Sequence, residues 1–136
     1  MNAQFTNPHG LCQTHGWTHV VTVLQGVRTV HISGQVAVNE HGEVVGKGDL
    51  RRQTEQTYHN LKIALESVGA CFAHVVKMNT YVVGLKPADV PMLREVRARY
   101  VSPEHPPAST LIGVAALVGT DWLIEIDATA WLPEIP

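Results

Sequence analysis

The chain has 136 residues, of which 45% are hydrophobic and 16% charged, and its formal net charge is −2. This length suits one compact domain with one hydrophobic core. The near-neutral charge, without any run of lysine and arginine, argues against binding to nucleic acid or to an anionic membrane surface. The longest apolar stretches have only the length of strands, so no transmembrane helix is predicted.

The start of the sequence lacks the basic residues and the apolar centre of a signal peptide, so we expect the protein in the cytosol. Cys12 and Cys71 lie far apart in the sequence and outside any CxxC motif. We therefore interpret both as unpaired thiols rather than as partners in a disulfide or a redox reaction.

No internal repeat or linker divides the sequence, which predicts a single domain over residues 1–136. Its lead-in, residues 1–18, is rich in Asn, Pro, Gly and His and is expected to be irregular. Strand patterns follow over residues 19–23 and 28–38, and a glycine-containing loop covers residues 39–48.

The first helix is predicted to run from Asp49, a suitable N-cap, to Val68, with Gly69 as its stop. Spacings of three and four residues place one set of side chains on a single helical face: Thr54, Tyr58, Leu61, Leu65 and Val68. A strand over residues 75–83 comes next. A second helix is expected to start near Asp89, with Pro91 tolerated in its first turn.

Two final strands are predicted over residues 108–117 and 122–132. The resulting order, ββαβαββ, predicts an α+β fold in which a mainly antiparallel sheet carries two helices on one face.

Alternation along the last strand directs Ile124 and Ile126 to the helix-covered face and Glu125 to the other. The matching parity in the preceding strand assigns Ser109 and Leu111 to the Glu125 face. That second face is half apolar, which favours self-association.

Several motifs, in the same order along the chain, resemble the Rid family of imine deaminases. They are Gly16-Trp17-Thr18-His19-Val20-Val21, Ile32-Ser33-Gly34-Gln35-Val36, the helical segment from Gln53 to Leu61, Val75-Val76-Lys77-Met78-Asn79-Thr80-Tyr81-Val82, and Pro107-Ala108-Ser109-Thr110 with Ile124-Glu125-Ile126-Asp127-Ala128. The resemblance spans residues 16–132. It implies a chorismate-mutase-like fold that assembles as a homotrimer, with small-molecule clefts between subunits.

Active Rid proteins hydrolyse the imine and enamine products of pyridoxal-phosphate enzymes to 2-oxo acids and ammonia, a form of metabolite damage control that uses no metal or organic cofactor. The resemblance implies that Glu125 is catalytic, because a carboxylate in a partly dry cleft can position water and shuttle a proton. It implies the following substrate-binding residues: Trp17, His19, Ser33, Gly34, Ser109 and Leu111.

Three positions depart from the deaminating branch of the family. Ser109 stands where that branch has the arginine that binds the substrate carboxylate, Trp17 replaces a tyrosine, and Leu111 replaces a polar or thiol residue. Weak activity toward 2-imino acids is therefore expected, unless another cation, such as Arg28 or Arg94, reaches the cleft.

Two functions remain open from the sequence. The first is a divergent hydrolase of an imine, enamine or related C=N metabolite, and the alternative is a non-catalytic trimeric metabolite-binding or sensor module. Ribonuclease activity, once assigned to relatives, fits poorly with a net charge of −2 and no visible basic groove.

The candidate residues also have structural interpretations. Glu125 can pair with a cation at a subunit interface, Gly34 can mark a strand bulge, and Trp17 can attach the lead-in to the core. His15 and His19 would meet at a metal only on a helix, which the glycine between them disfavours, so no metal site is predicted. A nucleophilic pair of Cys71 and His74 lacks any evident orienting group.

Overall fold

The computed structural model describes residues 3–14, 19–25 and 27–133, and Trp17, one of the predicted binding residues, lies outside them. In chain order the elements are β1 Ala3–Thr6, β2 Val20–Gln25, β3 Val27–Val36, α1 Leu50–Glu66, β4 Val75–Val83, α2 Val90–Arg97, β5 Ala108–Val114 and β6 Ile124–Leu132. The predicted order ββαβαββ is confirmed for β2 to β6. The lead-in is expected to be irregular, but within it Ala3–Thr6 form a strand, because they pair with the edge of β2.

The six strands form one sheet in the order β1-β2-β3-β6-β4-β5. Every described pairing is antiparallel except that of β4 with β5, which are joined through α2 in a βαβ crossover. The sheet is therefore mainly antiparallel and the fold class is α+β, as the sequence predicts.

Helix α1 begins as expected, because the Asp49 side chain accepts a hydrogen bond from the backbone N–H of Arg52 at 3.0 Å. Its buried face includes Tyr58, Leu61 and Leu65. These side chains pack on the face of β6 that carries Ile124 and Ile126, both fully buried. Burial of such a side chain contributes about 1.5–3 kcal/mol, so this layer is the main source of stability.

No helix of the described residues covers the opposite face of the sheet, which carries both polar and apolar side chains. Glu125 lies on this face, and register places it opposite Tyr81 of β4, which in turn lies opposite Ile112 of β5. Ile112 is 45% exposed and Trp131, on the same face of β6, is 55% exposed. The expected half-apolar face is therefore present.

Register corrects one prediction about this face. Ser109 and Leu111 lie opposite Met78 and Thr80 of β4, which are on the helix-covered side together with Ile126. The assignment of Ser109 and Leu111 to the Glu125 face is wrong, because alternation gives the relative parity within one strand and leaves open how two strands are aligned.

Candidate active site

A bulge in β3 shapes the neighbourhood of Glu125. Ile32 pairs with Ala128 and Gln35 pairs with Ile126, so Ser33 and Gly34 together stand opposite the single residue between those partners. Such a two-against-one step bends a strand and re-aims its side chains. The structural interpretation of Gly34 as a bulge residue is thus correct, and it is compatible with a role at the site.

Gly34 is required here by close approach rather than by an unusual backbone angle. A Cβ atom at this position would lie 2.7 Å from Cδ and 2.9 Å from Cγ of Glu125, and closer still to its Oε1. The φ angle of Gly34 is not in the left-handed region. The absence of a side chain therefore makes room for the Glu125 carboxylate against the β3 backbone.

Glu125 and Gly34 open onto a cavity of about 850 Å³, here called the Glu125 cavity. This volume lies within the range of small-molecule sites. Its described lining residues are Cys12, Gln13, His19, Ser33, Gly34, Gln35, Val36, Val38, Glu40, His41, Gly42, Val118, Trp122 and Glu125. Four of the predicted site residues, Glu125, His19, Ser33 and Gly34, are thus brought together, and none of the described lining residues is a lysine or an arginine.

The Glu125 side chain is half-buried, and no hydrogen bond joins its carboxylate to another residue within the described ranges. Burial raises its pKa above the usual value, and the nearby Asp127 carboxylate adds to the effect. A carboxyl group that takes up a proton more readily is better suited to exchange protons with a reacting nitrogen or water near neutral pH.

Asp127, the next residue on the same face, is held differently. Its Oδ1 accepts a hydrogen bond from Asn79 Nδ2 at 2.8 Å, and its Oδ2 accepts one from the Tyr81 hydroxyl at 3.3 Å. These bonds hold Asp127 as a structural acceptor, whereas the Glu125 carboxylate lines the cavity, which Glu40 also lines from the loop after β3.

His19 is buried, with 2% of its surface exposed, and both ring nitrogens are engaged. Nε2 lies 2.9 Å from the carbonyl oxygen of Cys12, and Nδ1 lies 3.0 Å from Nε2 of Gln35. Because a carbonyl oxygen can only accept, the His19 hydrogen is on Nε2, and the Gln35 amide donates to Nδ1. His19 therefore lines the cavity and links the lead-in, through Cys12, to Gln35 of β3.

Ser109 and Leu111 line a second cavity of about 230 Å³, here called the Ser109 cavity, on the helix-covered side. It is bounded by β4, β5, β6 and the two helices, and its described lining residues are Thr54, Tyr58, Thr80, Val90, Leu93, Arg94, Arg97, Ser109, Leu111, Ile124 and Ile126. One chain therefore does not place Ser109 and Leu111 in the cavity of Glu125. Trp17 cannot be assigned to either, since it lies outside the described residues.

The sequence does not single out Trp122, which forms one wall of the Glu125 cavity. A Cβ atom on Gly119 would overlap the Trp122 ring, so that glycine allows the ring to fold back over the loop. The fully buried Gln53 holds both neighbours of Trp122: its Nε2 donates to the carbonyl oxygen of Asp121 at 2.8 Å, and its Oε1 accepts from the backbone N–H of Leu123 at 2.8 Å. The hydrogen-bond partners of Gln53 lie about 70 residues further along the chain, so no pattern near Gln53 in the sequence indicates this role.

Cys71 and His74 do meet, with Sγ 3.4 Å from Nδ1 of the imidazole. The same Nδ1 accepts the backbone N–H of Cys71 at 3.0 Å, which closes the short 3-10 turn Phe72–His74. Cys71 is exposed, and neither it nor His74 is among the described residues that line the two cavities, so this pair is a local cap. Within residues 3–14, 19–25 and 27–133, no three His, Cys, Asp or Glu side chains are grouped in a way that could hold a metal ion.

The fold and the site together define a class: a small α+β domain with a small-molecule cavity around a half-buried carboxylate. The family model described as Endoribonuclease L-PSP matches residues 11–132. A RutC family protein of Pyrococcus abyssi is 36% identical over 103 residues, which are 75% of this chain and 77% of that protein. A protein of Dermatophagoides farinae named 2-iminobutanoate/2-iminopropanoate deaminase is 32% identical over 89 residues, 65% of this chain and 67% of that protein.

Among solved structures, YyfB from Yersinia pestis, described as a protein of unknown function of the conserved Rid protein family, is 43% identical. The match has a TM-score of 0.73 and covers 97% of this chain and 100% of that one. The chain belongs to the Rid family, also described as the endoribonuclease L-PSP family, and its fold is the chorismate-mutase-like α+β fold that the resemblance implies.

Proposed function

We propose that the chain is a Rid-type hydrolase that acts on an imine, enamine or related C=N metabolite, with Glu125 as its acid–base group. The observation that carries the proposal is the Glu125 carboxylate, half-buried, with a raised pKa, and seated against the side-chain-free Gly34 in a cavity of small-molecule size. The name of the Dermatophagoides farinae relative, 2-iminobutanoate/2-iminopropanoate deaminase, supports the reaction class.

The reaction requires only water as co-reactant. Glu125 accepts a proton from a water molecule as the water oxygen bonds to the C=N carbon, and the carbon–nitrogen π electrons move to nitrogen. Glu125 then returns this proton to nitrogen, which gives a carbinolamine. The hydroxyl proton of the carbinolamine next passes through Glu125 to the same nitrogen, the carbon–oxygen double bond forms, the carbon–nitrogen bond breaks, and ammonia leaves. An enamine enters the same path after it tautomerises to the imine.

We also propose that the working unit is a homotrimer whose clefts lie between subunits. Two features support this assembly: the uncovered sheet face bears exposed Ile112 and Trp131, and the predicted site residues are divided between two cavities on opposite faces of one sheet. A neighbouring copy can bring its Ser109 cavity to the Glu125 cavity.

The location proposed for this enzyme is the cytosol. In the described part of the chain, no helix is both long and apolar enough to cross a membrane. Cys12 and Cys71 are free thiols, which is typical of a reducing compartment. Location and the lack of nucleic-acid binding remain proposals that follow from composition and charge.

The hydrolase proposal is tested with imines made in the assay itself: an amine oxidase supplies neutral imines, and an amino-acid oxidase supplies acidic ones. Semicarbazide traps the imine, so hydrolysis by the chain lowers the rate of semicarbazone formation. Glu125→Gln keeps the shape and removes the acid–base function, which is typically worth 10²–10⁴-fold. The matched control is Glu104→Gln in an exposed loop, which should leave the rate unchanged.

A second function is favoured by Ser109, since that residue lacks the charge of the arginine that the deaminating branch has there. It is the non-catalytic metabolite-binding or sensor module. Tight binding of a C=N compound or its carbonyl analogue without turnover of any imine would favour this function and contradict the hydrolase. Equal rates for the wild type and Glu125→Gln would instead remove Glu125 from the mechanism.

A further inference from the structure

The Ser109 cavity brings two arginines next to the position that lacks one. Arg94 and Arg97 lie one helical turn apart on α2, and both line the cavity together with Ser109 of β5 and Thr80 of β4. The sequence names Arg94 only as one cation that could reach a cleft. The tertiary structure shows that Arg97, Ser109 and Thr80 line the same cavity as Arg94.

No acidic side chain within the described residues neutralises the charges of these two arginines. On the outer surface, Arg51 and Arg99 form ion pairs with Glu95 at 2.7 Å and 3.1 Å. No ion pair joins Arg94 or Arg97 to any acidic side chain in the described ranges, and no aspartate or glutamate is among the described residues that line the cavity. A guanidinium group without a counter-ion, at the wall of a cavity, favours an anion there.

The remaining wall offers hydrogen-bond donors and apolar surface. Arg97 Nε is buried and has no hydrogen-bond partner among the described residues. Burial raises the pKa of Tyr58 to about 12, so its phenol stays protonated at physiological pH. The hydroxyl groups of Ser109 and Thr80 add neutral donors beside the apolar Leu111. The volume of about 230 Å³ suits a carboxylate on a short carbon skeleton rather than a nucleotide.

We propose that Arg94 and Arg97 form an anion-binding subsite that recognises the carboxylate of a small acidic ligand from the helix side, in place of an arginine at position 109. The small Ser109 side chain leaves space in the cavity, and the long arginine side chains of α2 place positive charge there. The substrate class is then a short 2-imino or enamino acid. This assignment of a substrate rests on the proposed function, with Glu125 supplied across the cleft by a second copy of the chain.

Arg94 lines the Ser109 cavity and is one of the cations that the sequence analysis names as a possible replacement for the missing arginine. Loss of the arginine at position 109 predicts weak binding of 2-imino acids only if no other cation replaces it. Because α2 presents to the same cavity two guanidinium groups that form no ion pair within the described residues, we expect acidic ligands to bind there.

Binding of 2-oxobutanoate, the stable carbonyl counterpart of a short imino acid, tests the subsite without any need for turnover. Isothermal titration calorimetry on the full chain compares 2-oxobutanoate with 2-butanone, which lacks the carboxylate. Arg94→Gln and Arg97→Gln should each weaken 2-oxobutanoate binding by about ten- to a hundredfold, the usual effect of losing a hydrogen bond to a charged group. Arg99→Gln, in the turn that follows α2 and paired with Glu55 and Glu95, is the matched control and should bind as the wild type does.

Arg94→Lys, which keeps the charge and loses the planar fork, should be intermediate, and it provides the measurement if Arg94→Gln fails to fold. Equal affinity for 2-oxobutanoate and 2-butanone, or unchanged affinity in both glutamine variants, would overturn the subsite. A variant that loses its oligomer in light scattering but keeps its affinity per subunit would also overturn the subsite. The arginines would then contact a neighbouring subunit rather than the ligand. If the arginine variants lose binding but the wild type hydrolyses no imine, the subsite stands and the hydrolase is rejected.

Discussion

Gly34→Ala tests whether the backbone of β3 is shaped around the Glu125 carboxylate. The added methyl group would lie 2.7 Å from Cδ and 2.9 Å from Cγ of Glu125, distances that atoms in a folded protein do not tolerate, so the glutamate must move. Overpacking of this kind typically costs about 1–3 kcal/mol. We expect a value near 1 kcal/mol, because Glu125 is half-buried and its carboxylate has no hydrogen-bond partner among the described residues.

The second arm of this experiment introduces the same alanine into Glu125→Ala. That background removes Cγ, Cδ and Oε1, the three atoms nearest to the added methyl group. Since φ of Gly34 is not left-handed, alanine should then stabilise the chain by about 0.4–1 kcal/mol through the unfolded state. The coupling energy between the two sites is therefore expected to be about 1.5–2 kcal/mol, within the usual range for residues in contact.

Urea denaturation of the four proteins at one fixed protein concentration measures the coupling, since the stability of an oligomer depends on concentration. Gly113→Ala is the control: its nearest neighbour is Leu85, so its cost should be the same with and without Glu125→Ala. An equal cost of Gly34→Ala in both backgrounds would refute the close approach. For the activity we expect a loss of about 10²-fold, because a displacement of about 1 Å in a catalytic group has this effect.

Two further predictions concern assembly and pH. Light scattering at micromolar concentration should give about three times the chain mass of 14.9 kDa, and a clean monomer would contradict both the trimer and the shared cleft. The raised pKa of Glu125 means that the folded chain holds this proton more tightly than the unfolded chain, so its contribution to stability is present below the ordinary value of 4.5 and is lost as pH rises through the folded pKa. Glu125→Gln should therefore be more stable than the wild type at neutral pH and no more stable below about pH 4; a difference that did not change with pH in urea titrations would mean that burial does not oppose the charge.

The Glu125 half of the candidate site could be recognised from the sequence because its members lie in short, ordered motifs. Ser33 and Gly34 are adjacent in one strand, and Glu125 occupies a characteristic place in the last one. Their meeting requires only that β3 and β6 be neighbours, which the family resemblance implies and the register confirms.

The Ser109 cavity could be recognised only in part. The sequence points to Ser109, Leu111 and Arg94, but not to Arg97 or to their common cavity, because these residues come from elements with no fixed relation in the sequence. Arg94 and Arg97 read as polar positions of an amphipathic helix, the usual place for solvent-exposed charge. Only the tertiary structure, in which residues of α2 and β5 line one cavity, shows that they lie near Ser109. The same holds for Trp122, whose place depends on Gln53 and on a loop glycine.

By itself, the sequence determined the local features: the N-cap at Asp49, the buried face of α1, the alternation along β6 and the order of the elements. These follow from periodicities of 3.6 and 2 residues, which a single segment already contains. Tertiary structure decided how β4 and β5 are aligned, and with it the face on which Ser109 and Leu111 lie. It also decided which charged side chains form no ion pair within the described residues. Strand register and ion pairing both depend on contacts between residues distant in the chain, and no local pattern predicts them.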